Sequence, residues 1–207
     1  LFLINGLKEM GFNRFIATPH VLWDLYRNDD KSIEGALSEL KTAQASSGIQ
    51  DPISAAAEYM IDDHFARMVQ SKGPFRCISG KLVLVEFSFV SLPFEWQRIF
   101  FDLQMLGYQP VLAHPERYTY LSGDTSIFQQ IADMGVLLQI NLNSLTGYYG
   151  KPSLQLANAM IKQKIVSFLG TDCHHQRHLE AMRASSQLMP AVEQLLDSGN
   201  LQNYNLA

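Results

Sequence analysis

Cysteine is scarce: two residues, Cys77 and Cys173, in a chain of 207. That excludes a disulfide scaffold and fits a reducing, cytoplasmic setting. Neither cysteine is followed six residues later by arginine, because those positions hold Val83 and Leu179. A cysteine-nucleophile phosphatase loop is therefore excluded. Positive charge is short as well. Sixteen Lys+Arg against twenty Asp+Glu leave a formal net charge of −4, so no basic excess exists to bind nucleic acid. No apolar run reaches the roughly 18 residues of a membrane span. The opening LFLINGLKEMGF carries Lys8 and Glu9 and lacks a small-residue cleavage site, so it does not read as a signal peptide. Repeats of fixed period, low-complexity tracts and linkers are absent. The polar stretch at Ser46, Ser47 and Gly48 is too short for a domain boundary. What remains is 47% hydrophobic and 11% aromatic, which fits one globular domain over residues 1–207 with a sizeable core.

Apolar periodicity alternates along the chain. Leu1, Leu3, Ile4, Leu7 and Met10 share one helical face, with Gly11 as a stop. Strands are expected at 13–18, within 52–60, at 81–89, 109–114, 136–142 and 165–170. Helices are expected at 32–44, 63–70, 93–106, 126–134 and 153–164, with one long closing helix at 179–197. Strand–helix alternation with apolar strands means a parallel α/β sheet or barrel. A helix leading an otherwise strict series suggests a strand upstream of Leu1. Trp96, Phe100 and Phe101 are read as an apolar helix face, and Met60, Met68, Met105, Met134 and Met160 as core filler. Asp63 and His64 are read as solvated helix residues, and Cys77 as a half-buried small hydrophobe.

The polar residues at the strand ends carry the chemistry. His20 follows the first strand, and Glu58 and Glu86 lie near the ends of the second and third. His114 and Asn141 end the fourth and fifth, and Asp172 with His174 follows the sixth. Each lies about one βα unit after the last. Strand C-termini open on one face of such a fold, so these residues converge there. A carboxylate inside VLVEFSF needs a cation, because burying it alone is costly. Glu58 in AAAEYM makes the same argument. Imidazole nitrogens with carboxylate oxygens suit Mn²⁺, Zn²⁺ or Fe²⁺, and several carboxylates allow two ions to be bridged. Taken singly, each His has the plainer reading of a surface residue or of a residue supporting the site. His175 and His178 read equally well as loop residues.

ATPH (17–20), AEYMID (57–62), VEFSF (85–89), AHPERY (113–118), NLNSLTGYYG (141–150) and GTDCH (170–174) occur in this order. The ordered set resembles the PHP (polymerase and histidinol phosphatase) superfamily across essentially the whole chain. More narrowly it resembles the bacterial manganese-dependent tyrosine-protein phosphatases of capsular and exopolysaccharide biosynthesis. The resemblance implies a distorted (β/α)₇ barrel with two to three divalent metals at the strand C-termini. By resemblance, Glu58 would bridge two metals, and Glu86 and His114 would complete the second site. Asp172 would serve the first site, and His20 and His174 the third. Arg117 would grip the substrate phosphate, with Arg177 as a second phosphate contact; GTDCHHQRH departs from the family pattern at that second position.

The family's Asp-x-His-x-His first motif is not in the chain. We therefore read it as an N-terminally truncated PHP domain lacking its first strand, whose exposed sheet edges an oligomer or partner chain would cover. The expected reaction is metal-assisted hydrolysis of phosphotyrosine on a protein, the implied substrate being the tyrosine-rich tail of a polysaccharide-assembly kinase in the bacterial cytoplasm. Histidinol-phosphate hydrolysis, phosphodiester cleavage and a non-catalytic binding barrel remain alternatives at this point.

Overall fold

The computed structural model describes residues 1–206. It opens with α1 (Phe2–Lys8), β1 (Phe15–Ala17) and β2 (His20–Val21), followed by α2 (Asp30–Ser46). Next come β3 (Ile53–Ala55), β4 (Glu58–Met60), α3 (Asp63–Gln70), β5 (Leu82–Glu86) and α4 (Trp96–Met105). The chain continues through β6 (Gln109–Ala113), α5 (Ser126–Asp133), β7 (Leu137–Asn141), the short α6 (Leu142–Leu145) and α7 (Lys151–Gln163). It closes with β8 (Val166–Gly170), α8 (Gln176–Ala184) and α9 (Leu188–Asp197).

Six strand positions were expected and six are present, two of them interrupted. Pro19 has no N–H to give a ladder, and it separates β1 from β2. The pairing nevertheless carries across the break: Ala56 N–H donates to Ala17 O at 2.8 Å and Glu58 N–H to Pro19 O at 3.0 Å. β1–β2 and β3–β4 thus lie side by side, and β5, β6, β7 and β8 follow in order, every pair parallel.

The two sheet faces bury different things. Val83, Val85, Leu112, Leu138, Ile140 and Val166 join the helices in the main core. The other face gathers Ala56, Leu84, Val111, Ala113 and Phe168, with Ile16, Leu82 and Leu137 beside them, and no helix residue contributes. Ile78, from the loop before β5, and Leu206, from the C-terminal segment, complete this cluster; a face whose cluster takes in no helix is covered by curling on itself, as in a barrel. Among the described residues β8 does not pair with β1 or β2. Instead the C-terminal segment lies along β8: Gln202 N–H donates to Ser167 O at 2.8 Å. The Asn203 side chain bonds both N–H and C=O of Leu169, at 2.9 and 2.8 Å.

Helix boundaries follow local chemistry. Asp29 caps α2 by accepting from Ser32 N–H at 2.7 Å, and Asp62 caps α3 by accepting from Phe65 N–H at 2.8 Å. Gly107 and Gly135 end α4 and α5 in the left-handed region, φ +80° and +81°, where a Cβ would be strained.

Four expectations need correction. The long closing helix is two helices, α8 and α9, broken at 185–187. Pro190, in the first turn of α9, cannot donate back to Ser186, so one continuous helix would lose that bond. Phe101 lies on the solvent side of α4 at 57% exposure, opposite Trp96 and Phe100. Met105 is exposed as well, at 71%; position 105 falls on the same outward side of the helix as position 101, one turn on. His64 is half-buried, stacked on Trp23 at 3.9 Å between centroids.

Candidate metal centre

The strand register brings the first acidic group and the first imidazole together: His20 on β2 pairs directly with Glu58 on β4. Met60, two residues on, pairs with Glu86, the last residue of β5. His114 follows β6 in a left-handed conformation, φ 35°, and Asp172 follows β8 at φ 44°. Both are uncommon for residues with a Cβ, and such strain collects at functional sites.

The side chains meet closely. His20 Nδ1 lies 2.9 Å from Glu58 Oε2 and 3.0 Å from Glu86 Oε1. His114 Nε2 lies 3.0 Å from Glu58 Oε1 and 3.6 Å from Glu86 Oε2. Asp172 stands beside this group, 3.2 Å from His174 Nδ1 and 3.1 Å from Arg117 Nη1. Asn141 Nδ2 donates to Asp172 Oδ2 at 2.7 Å. The His20 and His174 rings stack at 5.8 Å. Glu58 and Glu86 are 4% and 2% exposed, too buried to sit there uncompensated. A cavity of about 770 Å³ reaches this end of the sheet, with Glu58, His114, Asn141, Asp172 and His174 in its wall.

Electrostatics say what compensates the carboxylates. Hydrogen bonds to Glu58 and then Glu86 raise His20 to about 10, against the opposing effect of burial. Burial pushes Glu58 up, but the facing His114 and His20 outweigh it and bring Glu58 to about 2. Burial disfavours the charged form of His114 too, yet Glu58, Glu86 and Asp172 raise it on balance. The carboxylates thus favour positive charge on both facing imidazoles. Glu86 Oε2 and His114 Nδ1 are still buried without a hydrogen-bond partner. Hard oxygens and borderline nitrogens in one pocket, one oxygen left unsatisfied, fit a divalent ion. His20, Glu58 and Glu86 each offer a ligand atom within 4.8 Å of the others.

Of the eight residues expected from sequence, seven are thus in one neighbourhood: His20, Glu58, Glu86, His114, Arg117, Asp172 and His174. Arg177 stands elsewhere, exposed on the first turn of α8, where it lines a separate depression with His175, Gln176 and Glu180. His178 is buried and accepts from His174 N–H through Nδ1 at 3.1 Å, so it shapes the loop that carries His174.

Other contributors had gone unnoticed in the sequence. Glu116 is fully buried and accepts from Asn141 N–H at 2.8 Å and Ser144 Oγ at 2.6 Å, tying the ends of β6 and β7. Burial raises its pKa. Tyr118 donates to Ala113 O and accepts from Phe87 N–H, both at 2.9 Å, tying the ends of β5 and β6. Phe89 and Tyr149 flank the Arg117 guanidinium at 4.7 and 4.3 Å from their centroids. Apart from Phe89, these residues sit in HPERY and NLNSLTGYYG. Glu116 lies between Pro115 and Arg117, and its burial is visible only in the fold.

A curled parallel sheet with carboxylates and imidazoles collected at its strand C-ends defines an α/β protein suited to divalent-metal chemistry. The chain belongs to the CpsB/CapC family of capsular polysaccharide synthesis, whose family model matches residues 3–191. It is 28% identical over 172 residues to the Staphylococcus aureus protein named "Putative tyrosine-protein phosphatase CapC", covering 83% of this chain and 68% of that one. It is 27% identical over 173 residues to the tyrosine-protein phosphatase YwqE of Bacillus subtilis, covering 84% and 68%. The fold matches a solved structure from work on YwqE of Bacillus subtilis and CpsB of Streptococcus pneumoniae, described as unique metal-dependent tyrosine phosphatases. The TM-score is 0.76 at 23% identity, over 96% of this chain and 85% of that one. Among the described residues, no helix is long and apolar enough to cross a membrane.

Proposed function

We propose that the chain is a metal-dependent protein-tyrosine phosphatase that removes phosphate from a tyrosine kinase of polysaccharide assembly in the bacterial cytoplasm. The observation that carries this is the pair of buried carboxylates, Glu58 and Glu86 on the adjacent parallel strands β4 and β5, facing His20 and His114. The phosphatase names of its relatives in the family support the reaction class.

Glu58, Glu86, His20 and His114 would hold the ions, with Asp172 and His174 beside them, and Mn²⁺ is the ion we expect. When bound, the metal supplies an activated water and positive charge for the phosphate oxygens. The chain's own residues do the rest. Arg117 presents a planar fork to the non-bridging oxygens, and Asp172 keeps that fork in place at 3.1 Å. Asn141 orients Asp172 from the other side. The phenolate, with a pKa of about 10, departs without strong acid assistance. Arg177, on the first turn of α8, would be a second phosphate contact only for a substrate that also reaches the depression beside His175 and Glu180.

Turnover of a phosphotyrosine peptide with added Mn²⁺, compared with histidinol phosphate and a phosphodiester, tests the reading. We expect metal bound to the purified chain and preference for the peptide. Preference for histidinol phosphate, or no bound metal, would overturn it. Arg117→Ala should weaken phosphate binding while metal content holds, and His114→Ala should lose metal.

A further inference from the structure

The loop from β5 to α4 is unusual for a surface loop. Phe89 is 47% exposed, Val90 83% and Phe94 91%. None of the three belongs to either core cluster, so folding does not explain them. Exposed apolar groups gathered in one place mark a contact surface. This patch rises directly from Glu86, and it is held at its base. Tyr118 Oη accepts from Phe87 N–H at 2.9 Å, and Tyr120 Oη donates to Ser88 O at 3.1 Å.

Phe89 also reaches into the site. Its ring lies 5.6 Å from the His114 ring, nearly parallel at 20°, and 4.7 Å from the Arg117 guanidinium carbon. Tyr149 supports Arg117 at 4.3 Å. The cation that would hold a phosphate is thus wedged between two aromatic rings, one of them half-exposed. With its phosphate on Arg117, whose guanidinium lies 4.7 Å from the Phe89 centroid, a bound ester would have its alcohol group within reach of that half-exposed ring. An aliphatic ester leaves that ring in water; an aromatic ester covers it.

We propose that Phe89 is a specificity-determining residue. Its exposed ring receives the aromatic ring of an aryl phosphate ester, and Val90 and Phe94 extend the same wall to apolar side chains next to the phosphotyrosine. This rests on the phosphatase reading above and adds the basis of its choice of tyrosine over serine or threonine. No covalent step is involved; selection comes from ring contact alone, where aromatic pairs contribute modestly beyond area burial.

Phenylphosphonate and methylphosphonate, which are not hydrolysed, separate ring contact from phosphate contact. Each is titrated calorimetrically into the Mn²⁺-loaded protein. Phenylphosphonate should bind more tightly. Phe89→Ala should weaken it about three- to tenfold and leave methylphosphonate within about twofold, and Phe89→Tyr should restore the difference. Phe94→Ser, at a fully solvated position, should weaken a phosphonate-bearing tyrosine-mimic peptide with apolar neighbours and leave phenylphosphonate unchanged. Equal affinity of the wild type for both phosphonates would overturn the ring contact while leaving the phosphatase reading in place. Equal weakening of both by Phe89→Ala would make Phe89 a support for Arg117 and also overturn it. Binding of neither phosphonate would overturn the phosphatase reading, and the ring contact with it.

Discussion

At the scale of the residue, the centre is a balance between burial and charge. Glu58 and Glu86 are sealed from water, and their carboxylates favour the charged forms of His20 and His114 beside them. This has a pH signature. His20 is raised from its ordinary 6.5 to about 10 in the folded state. Its contribution to stability is therefore complete below about 6.5 and is lost as pH rises through about 10. Glu58 is lowered from 4.5 to about 2, so its contribution is present above about 4.5 and is lost as pH falls through about 2. Urea unfolding of metal-free protein should show its best stability between these limits and a decline from pH 6.5 toward 10. His20→Gln should flatten that alkaline decline, and an unaltered slope in the variant would contradict the assignment. Arg117 offers a second residue-scale expectation. Arg117→Lys keeps the charge but loses both the planar fork and the stacking on Phe89 and Tyr149. We expect a rise in KM for phosphotyrosine peptide of about tenfold or more, with metal content unchanged as measured by elemental analysis.

At the scale of the element, strand ends and helix starts are coupled. β4 delivers Glu58, and four residues later Asp62 caps α3, so one short segment serves both the site and the helix. Asp62 Oδ1 accepts from Phe65 N–H and Oδ2 from Trp23 N–H, the latter at 3.4 Å. Removing the cap by Asp62→Ala should cost about 1 kcal/mol of stability, read as a lower denaturation midpoint with the slope unchanged. Most elements were legible in the sequence because their signals are local. LVLVE reads as a buried strand, and Gly107 and Gly135 end helices. Residues 63–70 are helical within the expected bounds. Two breaks were not legible, because the proline at each competes with a stronger pattern or is bridged from afar. The break between α8 and α9 competes with a strong apolar periodicity. The interruption of the first strand at Pro19 is bridged by hydrogen bonds from residues nearly 40 positions away.

At the scale of the whole molecule, the sheet is held from inside and out. Phe168 is fully buried on the inner face, with Ala56, Leu84 and Val111 around it. Small residues such as Ala56 and Ala113 cannot refill its space, so Phe168→Ala should cost about 3–5 kcal/mol. Thermal unfolding would show this as a large drop in Tm. Metal should act in the opposite direction, because an ion that binds only the folded state stabilises it by mass action. Added Mn²⁺ is expected to raise Tm in a concentration-dependent way, with reversal by chelation. Glu58→Gln should blunt the rise, since it removes a ligand from the centre of the cluster. A Tm indifferent to Mn²⁺ in the wild type would argue against the metal centre as a whole.

The sequence by itself determined the alternation of strands and helices, the six strand positions and the polar residue at the end of each. These follow from periodicity and from the cost of placing a carboxylate in an apolar strand, both of which are local properties. It also determined, through ordered motifs, the resemblance to a phosphatase family. Only the tertiary structure decided which of those residues meet. Parallel register set His20 opposite Glu58, and left-handed turns after β6 and β8 aimed His114 and Asp172 inward. Glu116, Tyr118, Phe89 and Tyr149 matter through contacts with residues far from them in the chain. Arg177, close in sequence to His174, is carried by α8 to a different depression. Contacts of that kind are set by how strands align and how loops return, and no single stretch of sequence holds that information.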